Sequence, residues 1–241
     1  MPAVGLTFRK GFGRLTSARR RRVVALVSGG LDSCALVDAL LGSGAVVVPV
    51  YIRCGLRWES VEVVWLTRWL SSIRHPRLAP LSILSLPMRA LYQPHWSLGR
   101  GRVPSARSAD AAVYLPGRNV LLLTTGAIIA AQSGASSLAL GTLAGNPFGD
   151  ATSAFFRQMA GCLSRALRRP LRIIAPLRRF TKAEVIRRHA SLPFQLTFSC
   201  LNPRGLRHCG RCNKCAERMR AFIHAKIHDP TDYEYPGRST K

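Results

Sequence analysis

The chain has 241 residues, 47% of them hydrophobic, and carries 36 lysines and arginines against 11 acidic residues, a formal net charge of +25. That apolar content supports a sizeable core and excludes a disordered basic tail, while no apolar run reaches the roughly eighteen residues that a membrane-spanning helix needs. The length suits one α/β domain with a small appendage, and the apolar stretch behind the basic N-terminus is broken by Ser28-Gly29-Gly30, so the expected setting is a bacterial-type cytoplasm with no membrane contact.

Arg9-Lys10, Arg14 and Arg19-Arg20-Arg21-Arg22 read as a basic flexible arm over residues 1–22. An excess of this size attracts polyanions, so nonspecific or tRNA contact through the arm is an expected partner class. The scarcity of lysine beside arginine equally fits a compositional bias, and no aromatics are interleaved with the arginines to form a stacking platform for single strands.

From Val23 onward strand and helix patterns alternate. Val23 to Val27 is an apolar run suited to a first strand, and Ala35 to Leu41 has a helical pattern. Between them, Ser28-Gly29-Gly30-Leu31-Asp32-Ser33 forms an anion cradle. Glycines permit a sharp turn that aims several backbone N–H groups at one phosphate, and the helix N-terminus adds partial positive charge. The hydroxyls of Ser28 and Ser33 can donate to phosphate oxygens, and Asp32 is suited either to hold magnesium or to cap the helix. The ligand-free alternative is a Gly-rich turn with Asp32 as N-cap.

Ala45 to Tyr51 suits a buried parallel strand, Glu59 to Ser71 a helix and Leu81 to Leu86 a third strand. Pro87 to Pro116 is rich in Pro, Gly, Ser and Arg without any period, and a connection that long is expected to be a functional loop or lid. Asn119 is placed to cap a helix running to Gln132, Leu138 to Leu140 reads as a short strand, and Asp150 as the cap of a helix through Leu167. Leu171 to Ala175 is a further strand, and Thr181-Lys182-Ala183-Glu184 is a capping box opening a helix to His189. The alternation predicts a doubly wound parallel sheet with its ligand at the carboxyl ends of the strands, beside Ser28 to Ser33.

Seven cysteines, an odd total, argue against a disulfide framework. Cys200, Cys209, Cys212 and Cys215 form C-x8-C-x2-C-x2-C, a spacing from which four thiolates can close a tetrahedral zinc site, with His208 surplus to it. Free thiols and an iron–sulfur cluster are the alternatives, although Cys215 has no cysteine after it as the ferredoxin run requires. Cys34 and Cys162 read as small core residues, and Cys54, at a strand end before Gly55, could line the site.

Ser-Gly-Gly-x-Asp-Ser after the first strand resembles the PP-loop of ATP pyrophosphatases, which split ATP into AMP and pyrophosphate; no Gly-Lys-Ser/Thr follows as in a Walker loop. Tyr114-Leu115-Pro116-Gly117-Arg118-Asn119, then Ala175-Pro176-Leu177 with Lys182-Ala183-Glu184, then Ser199-Cys200-Leu201-Asn202-Pro203 with the three later cysteines, follow in order. Together, from about Val23 to Phe222, they resemble the 7-cyano-7-deazaguanine (preQ0) synthase family of PP-loop enzymes in queuosine biosynthesis.

The resemblance implies an adenine nucleotide hydrolase-like Rossmannoid domain over residues 23–195, a four-cysteine zinc segment over 196–228 and a tail over 229–241. It implies an ATP-dependent ligase that adenylates the carboxylate of 7-carboxy-7-deazaguanine and lets ammonia displace AMP. Adenylation of the resulting amide and loss of AMP then leave the nitrile. By position, Val27, Ser28, Gly29, Gly30, Leu31, Asp32, Ser33 and Cys34 would hold ATP, with magnesium at Asp32. Asp32, Ser33 and Arg118 would serve the chemistry, Arg118, Asn119 and Asp150 the substrate, and Cys200, Cys209, Cys212 and Cys215 the zinc; a homodimer is also implied.

Two stretches depart from the family pattern. A Tyr-Pro-Asp-Cys-Arg-type segment is expected where Asn146-Pro147-Phe148-Gly149-Asp150-Ala151-Thr152 stands, with only the Asp150 element recognisable. Gln-Arg is expected before an acidic helix start, whereas Cys54-Gly55-Leu56-Arg57-Trp58-Glu59 keeps an Arg and a Glu in a different frame. Other readings left open are a PP-loop enzyme that adenylates a tRNA base, a relative acting on another carboxylate, and a non-enzymatic RNA-binding zinc protein.

Overall fold

The computed structural model describes residues 21–92, 94–99 and 101–235, so the basic arm up to Arg20 lies outside the described residues. Five strands, β1 (Arg22–Leu26), β2 (Val46–Arg53), β3 (Ser82–Ser85), β4 (Ser137–Ala139) and β5 (Arg172–Ile174), form one sheet. Their order is β3-β2-β1-β4-β5 and every pairing is parallel. Among the described residues six α-helices connect and flank them: α1 (Leu31–Gly42), α2 (Glu59–Ser72), α3 (Arg118–Gln132), α4 (Ser153–Ala166), α5 (Lys182–Arg188) and α6 (Asn213–Ala225).

Both faces of the sheet are covered, which is why β1 reads as an unbroken apolar run. Val23 and Ala25 share a core with Leu36 and Leu40 of α1 and Val185 of α5, whereas Val24 packs among Leu123 and Ala127 of α3 and Leu163 of α4. The chain winds outward from β1 to β3, then returns to β4 on the other side of β1. That reversal opens a crevice at the carboxyl ends of β1 and β4, the place where doubly wound sheets bind ligands. No helix of the described residues is long and apolar enough to cross a membrane.

Two helix starts differ from expectation, for one shared reason. Helix α3 begins at Arg118 with Gly117 in the capping position, so Asn119 lies within the first turn. Helix α4 is capped by Thr152, whose side chain accepts from the Phe155 N–H at 3.2 Å. Asp150 instead sits in a short 3-10 turn (Gly149–Ala151) and turns toward α3. Its Oδ2 accepts from the Asn119 N–H at 3.2 Å and its Oδ1 from Asn119 Nδ2 at 3.2 Å. The carboxylate thus serves the positive end of a helix remote in sequence. The capping box at Thr181 and Glu184 is present as read from the sequence.

The described part of the stretch from Pro87 to Pro116 is largely exposed and is anchored to the fold at separate points. Met88, Leu98 and Leu115 are buried, and Trp96 stacks on Trp58 with ring centroids 5.7 Å apart. Its backbone joins the cysteine segment, where Ala106 N–H donates to Arg211 O at 2.9 Å and Asn213 N–H to Pro104 O at 3.0 Å. Cys34 is buried as expected, but Cys162 is exposed on the outer side of α4. The described part of the tail also packs down: Arg207 pairs with Asp232 at 2.7 Å and with Glu234 at 2.6 Å.

Gly141, just beyond β4, passes so close to α1 that a Cβ there would lie 2.8 Å from Asp32 O and 3.2 Å from Ser33 N. Both neighbours are backbone and cannot rotate away. Gly141→Ala should therefore destabilise the fold by about 1–3 kcal/mol in urea unfolding, as overpacking does. An unchanged midpoint would show that β4 and α1 do not approach this closely.

Candidate active site

The loop between β1 and α1 is held by its own last hydroxyl. Ser33 Oγ accepts from the N–H groups of Ser28 at 3.2 Å and Gly29 at 3.0 Å, and donates to Gly30 O at 3.1 Å. Gly29 adopts φ +79°, and a Cβ on it would approach Leu66 Cβ to 3.0 Å, so the turn requires glycine twice over. Gly29 O accepts from the Phe198 N–H at 2.8 Å, which fastens the turn to the C-terminal segment. Helix geometry leaves the N–H groups of Leu31, Asp32 and Ser33 without intrahelical acceptors at the positive end of α1.

A cavity of about 290 Å³ opens above this turn at the carboxyl ends of β1, β2 and β4. Of the residues expected to meet the nucleotide, Val27, Ser28, Asp32 and Ser33 line it. Gly29 and Gly30 shape the turn, and Leu31 and Cys34 are buried in the core. Arg118 and Asn119 reach the same cavity from α3. Asp150 is not among its lining residues, because its carboxylate is taken up by Asn119; it positions the wall and does not form it. Cys54 is likewise buried away from the lining.

Asp32 is the centre of a charged chain that the sequence did not disclose. Its Oδ2 lies 3.2 Å from Lys182 Nζ, Lys182 also pairs with Glu217, and Glu217 accepts from Lys214 at 2.6 Å. Burial pushes the Asp32 carboxyl up against the pull of Lys182. Burial alone would lower the Lys182 ammonium, but the carboxylates of Asp32 and Glu217 hold it above the ordinary lysine range. Burial also opposes ionisation of Glu217, yet the two lysines bring it down to about 2. One signal was available: Lys182 occupies the first turn of a helix, where a cation opposes the dipole unless an anion claims it. Asp32 Oδ1 is buried with no hydrogen-bond partner, and a hard-cation ligand left open in this way fits magnesium.

Glu62 and Tyr51 also went unread, since Glu62 looks like one more acid at the start of a surface helix. Glu59, a turn earlier, folds back onto the N–H groups of Cys54 and Gly55, the latter at 3.0 Å. Glu62 lines the cavity and accepts from the Tyr51 hydroxyl at 2.6 Å. Burial pushes its carboxyl up to about 7. Arg118 has a buried Nε–H without a partner, so its guanidinium keeps donor capacity for a ligand.

The sulfurs of Cys200, Cys209, Cys212 and Cys215 all lie within 4.8 Å of one another, with Cys200 and Cys212 at 4.0 Å and Cys209 and Cys215 at 3.9 Å. A tetrahedral ion at zinc–sulfur distances spaces its ligands by about 3.8 Å, so the set fits one zinc. Ligands of a four-iron cluster, each on its own iron, stand farther apart. Backbone N–H groups of Asn202 and Cys209 donate to Cys200 Sγ at 3.3 and 3.2 Å, which stabilises thiolate charge. His208 stays outside the set: its Nε2 accepts from the Ser199 N–H at 3.1 Å.

Two predictions follow from this geometry. Purified protein should contain one zinc per chain, and Cys212→Ser should lose it together with several degrees of thermal stability, because a closed thiolate site contributes folding energy. Iron with a visible charge-transfer band would contradict the assignment. The raised carboxyl of Glu62 stabilises the fold only while protonated, so its contribution is lost as pH rises from 4.5 through about 7. Over that window the thermal midpoint of the wild type should fall relative to that of Glu62→Gln, and parallel curves would contradict the burial of this charge.

Comparison with known proteins places the chain in a family. Residues 22–226 match the family model described as Queuosine biosynthesis protein QueC. The chain is 34% identical over 225 residues to the 7-cyano-7-deazaguanine synthase of an Anaeromyxobacter species, covering 88% of this chain and 96% of that one. It is 32% identical over 224 residues to the 7-cyano-7-deazaguanine synthase of Methanothrix thermoacetophila, covering 89% of this chain and 99% of the relative. The chain belongs to the QueC family of queuosine biosynthesis proteins.

Proposed function

We propose that the protein is an ATP-dependent 7-cyano-7-deazaguanine synthase, making preQ0 from 7-carboxy-7-deazaguanine and ammonia. The observation that carries the reading is the single cavity in which Ser28, Asp32 and Ser33 face Arg118 at the switch point of the sheet. Residues 23–195 act as the ATP-binding unit and 196–228 as its metal-bound brace.

The free N–H groups of Leu31, Asp32 and Ser33, with the Ser28 hydroxyl, clamp the phosphates of ATP. Asp32 Oδ1, buried without a partner, would hold magnesium, which would neutralise phosphate charge. Lys182 fixes the other oxygen of Asp32 and adds a positive charge beside the phosphates. Arg118 uses its planar fork to set the substrate carboxylate against the α-phosphorus, with Asn119 and Asp150 holding the start of α3 in place. The carboxylate oxygen attacks, the bond to pyrophosphate breaks, and ammonia then displaces AMP to form the amide. In the second round the amide oxygen attacks a second ATP, and loss of AMP with both amide protons leaves the nitrile. No protein nucleophile is required; the protein orients the partners and limits water near the activated carboxylate. The four cysteines hold zinc as a brace for α6.

Incubation with ATP, ammonium and 7-carboxy-7-deazaguanine should yield preQ0 with two AMP and two pyrophosphates for each nitrile. Arg118→Ala should lower carboxylate-dependent AMP formation by about a hundredfold or more, as loss of one oriented donor does. Products of ADP and phosphate, or AMP formation indifferent to the carboxylate, would refute the reading.

A further inference from the structure

Among the residues lining the cavity are three charged side chains, Asp32, Arg118 and Glu62. Asp32 already has a cation, Lys182 at 3.2 Å. Arg118 presents positive charge to the anionic ends of the proposed substrates. Glu62 differs from both: its hydrogen-bond partner is the neutral Tyr51 hydroxyl, and it forms no ion pair with any described lysine, arginine or histidine. A partly buried carboxylate without a paired cation, open to a reaction cavity, is a site for a small cation.

We propose that Glu62, anchored by Tyr51, is an ammonium site and the proton acceptor that converts bound ammonium into attacking ammonia. The inference rests on the synthase reading, because ammonium is the small hydrogen-bonding cation that this reaction consumes. At neutral pH the nitrogen arrives protonated and has no lone pair to attack with. It needs a counter-charge to enter a desolvated cavity and a base to leave it reactive.

The groups around Glu62 suit both tasks. Tyr51 on β2 donates to Oε2 and leaves Oε1 for a ligand. Glu59 on the same helix is turned away toward the N–H groups of Cys54 and Gly55. Burial raises Glu62 to about 7, against the opposing pull of the Tyr51 hydrogen bond, the Arg118 charge from α3 and the Trp58 indole, and with a further push from Glu59. The carboxylate therefore exchanges protons near neutrality, where a base is most effective.

The step balances as follows. One N–H bond of ammonium breaks and its proton goes to Glu62 Oε1. The freed lone pair forms the C–N bond at the adenylated carboxyl carbon, and the C–O bond to AMP breaks with its electron pair on the AMP oxygen. The surplus proton on nitrogen passes to water, and Glu62 returns its own proton to solvent before the next round.

The test uses full-length wild type, Glu62→Gln and Tyr51→Phe with ATP and 7-carboxy-7-deazaguanine. Pyrophosphate release without ammonium is measured separately from capture of the activated carboxyl by ammonium or by hydroxylamine, which is already neutral at neutral pH. In Glu62→Gln, pyrophosphate release should stay within about twofold while ammonium capture falls by about a hundredfold and hydroxylamine capture persists. Tyr51→Phe removes a donor to the charged form, so the pH profile of ammonium capture should move upward; this variant decides the matter if Glu62→Gln does not fold. Unchanged ammonium capture, an equal loss with hydroxylamine, or a raised KM for 7-carboxy-7-deazaguanine, as for a carboxylate that reads the donor edge of the base, would overturn the site. Absence of pyrophosphate release by the wild type would overturn the synthase reading and the ammonium site with it.

Discussion

The pairing of Asp32 with Lys182 ties together parts of the chain that the sheet alone would leave independent. Asp32 stands in the first turn of α1, Lys182 in the first turn of α5, and Glu217, the second anion on Lys182, in α6. Helix α6 also carries Cys215 and begins beside Cys212. A cation held by two carboxylates therefore links the anion-binding turn to the cysteine cluster. Such a partly buried network tolerates loss of no single member, since removing Lys182 would leave two carboxylates facing each other without a counter-charge. In the proposed reading the cluster acts as a brace through this link, because Glu217 of α6 holds the Lys182 side chain that pairs with Asp32.

The cavity gains its chemistry from unequal treatment of its charges. Lys182 leaves one oxygen of Asp32 occupied and the other without a partner. Arg118 keeps an unpaired Nε–H, and Glu62 accepts from the neutral Tyr51 hydroxyl without forming an ion pair. In the proposed reading, ligands would complete what the protein leaves unfinished: phosphates at the α1 N-terminus, a metal at Asp32, an anion at Arg118 and a cation at Glu62. Unsatisfied groups cost stability in the empty protein and return it on binding.

Much of this was legible in the chain because it rests on local rules. An apolar run followed by Ser-Gly-Gly-Leu-Asp-Ser pointed to a strand, a turn and a helix start, and the cysteine spacing pointed to convergence. Thr181 and Glu184 declare a helix start by themselves. What escaped notice depends on contacts far apart in sequence. Asp150 has the composition of a local cap, but its carboxylate serves Asn119, 31 positions away. Lys182 meets Glu217 across 35 positions, and no periodicity reports that. Glu62 follows the pattern of a surface acid; only the return of α2 past the end of β2 brings it to the Tyr51 hydroxyl. Pro87 to Pro116 lacks a period because it is anchored at scattered points, Met88, Leu98 and Leu115, and buries no continuous face.

The central claim is that the carboxylate is activated by direct attack on the α-phosphorus within this cavity. With 7-carboxy-7-deazaguanine carrying heavy oxygen in both carboxylate positions, the account predicts that every AMP released bears one heavy oxygen, the first from the carboxylate and the second from the amide, as read by mass spectrometry. AMP free of label, with the heavy oxygen found in pyrophosphate or water, would contradict it.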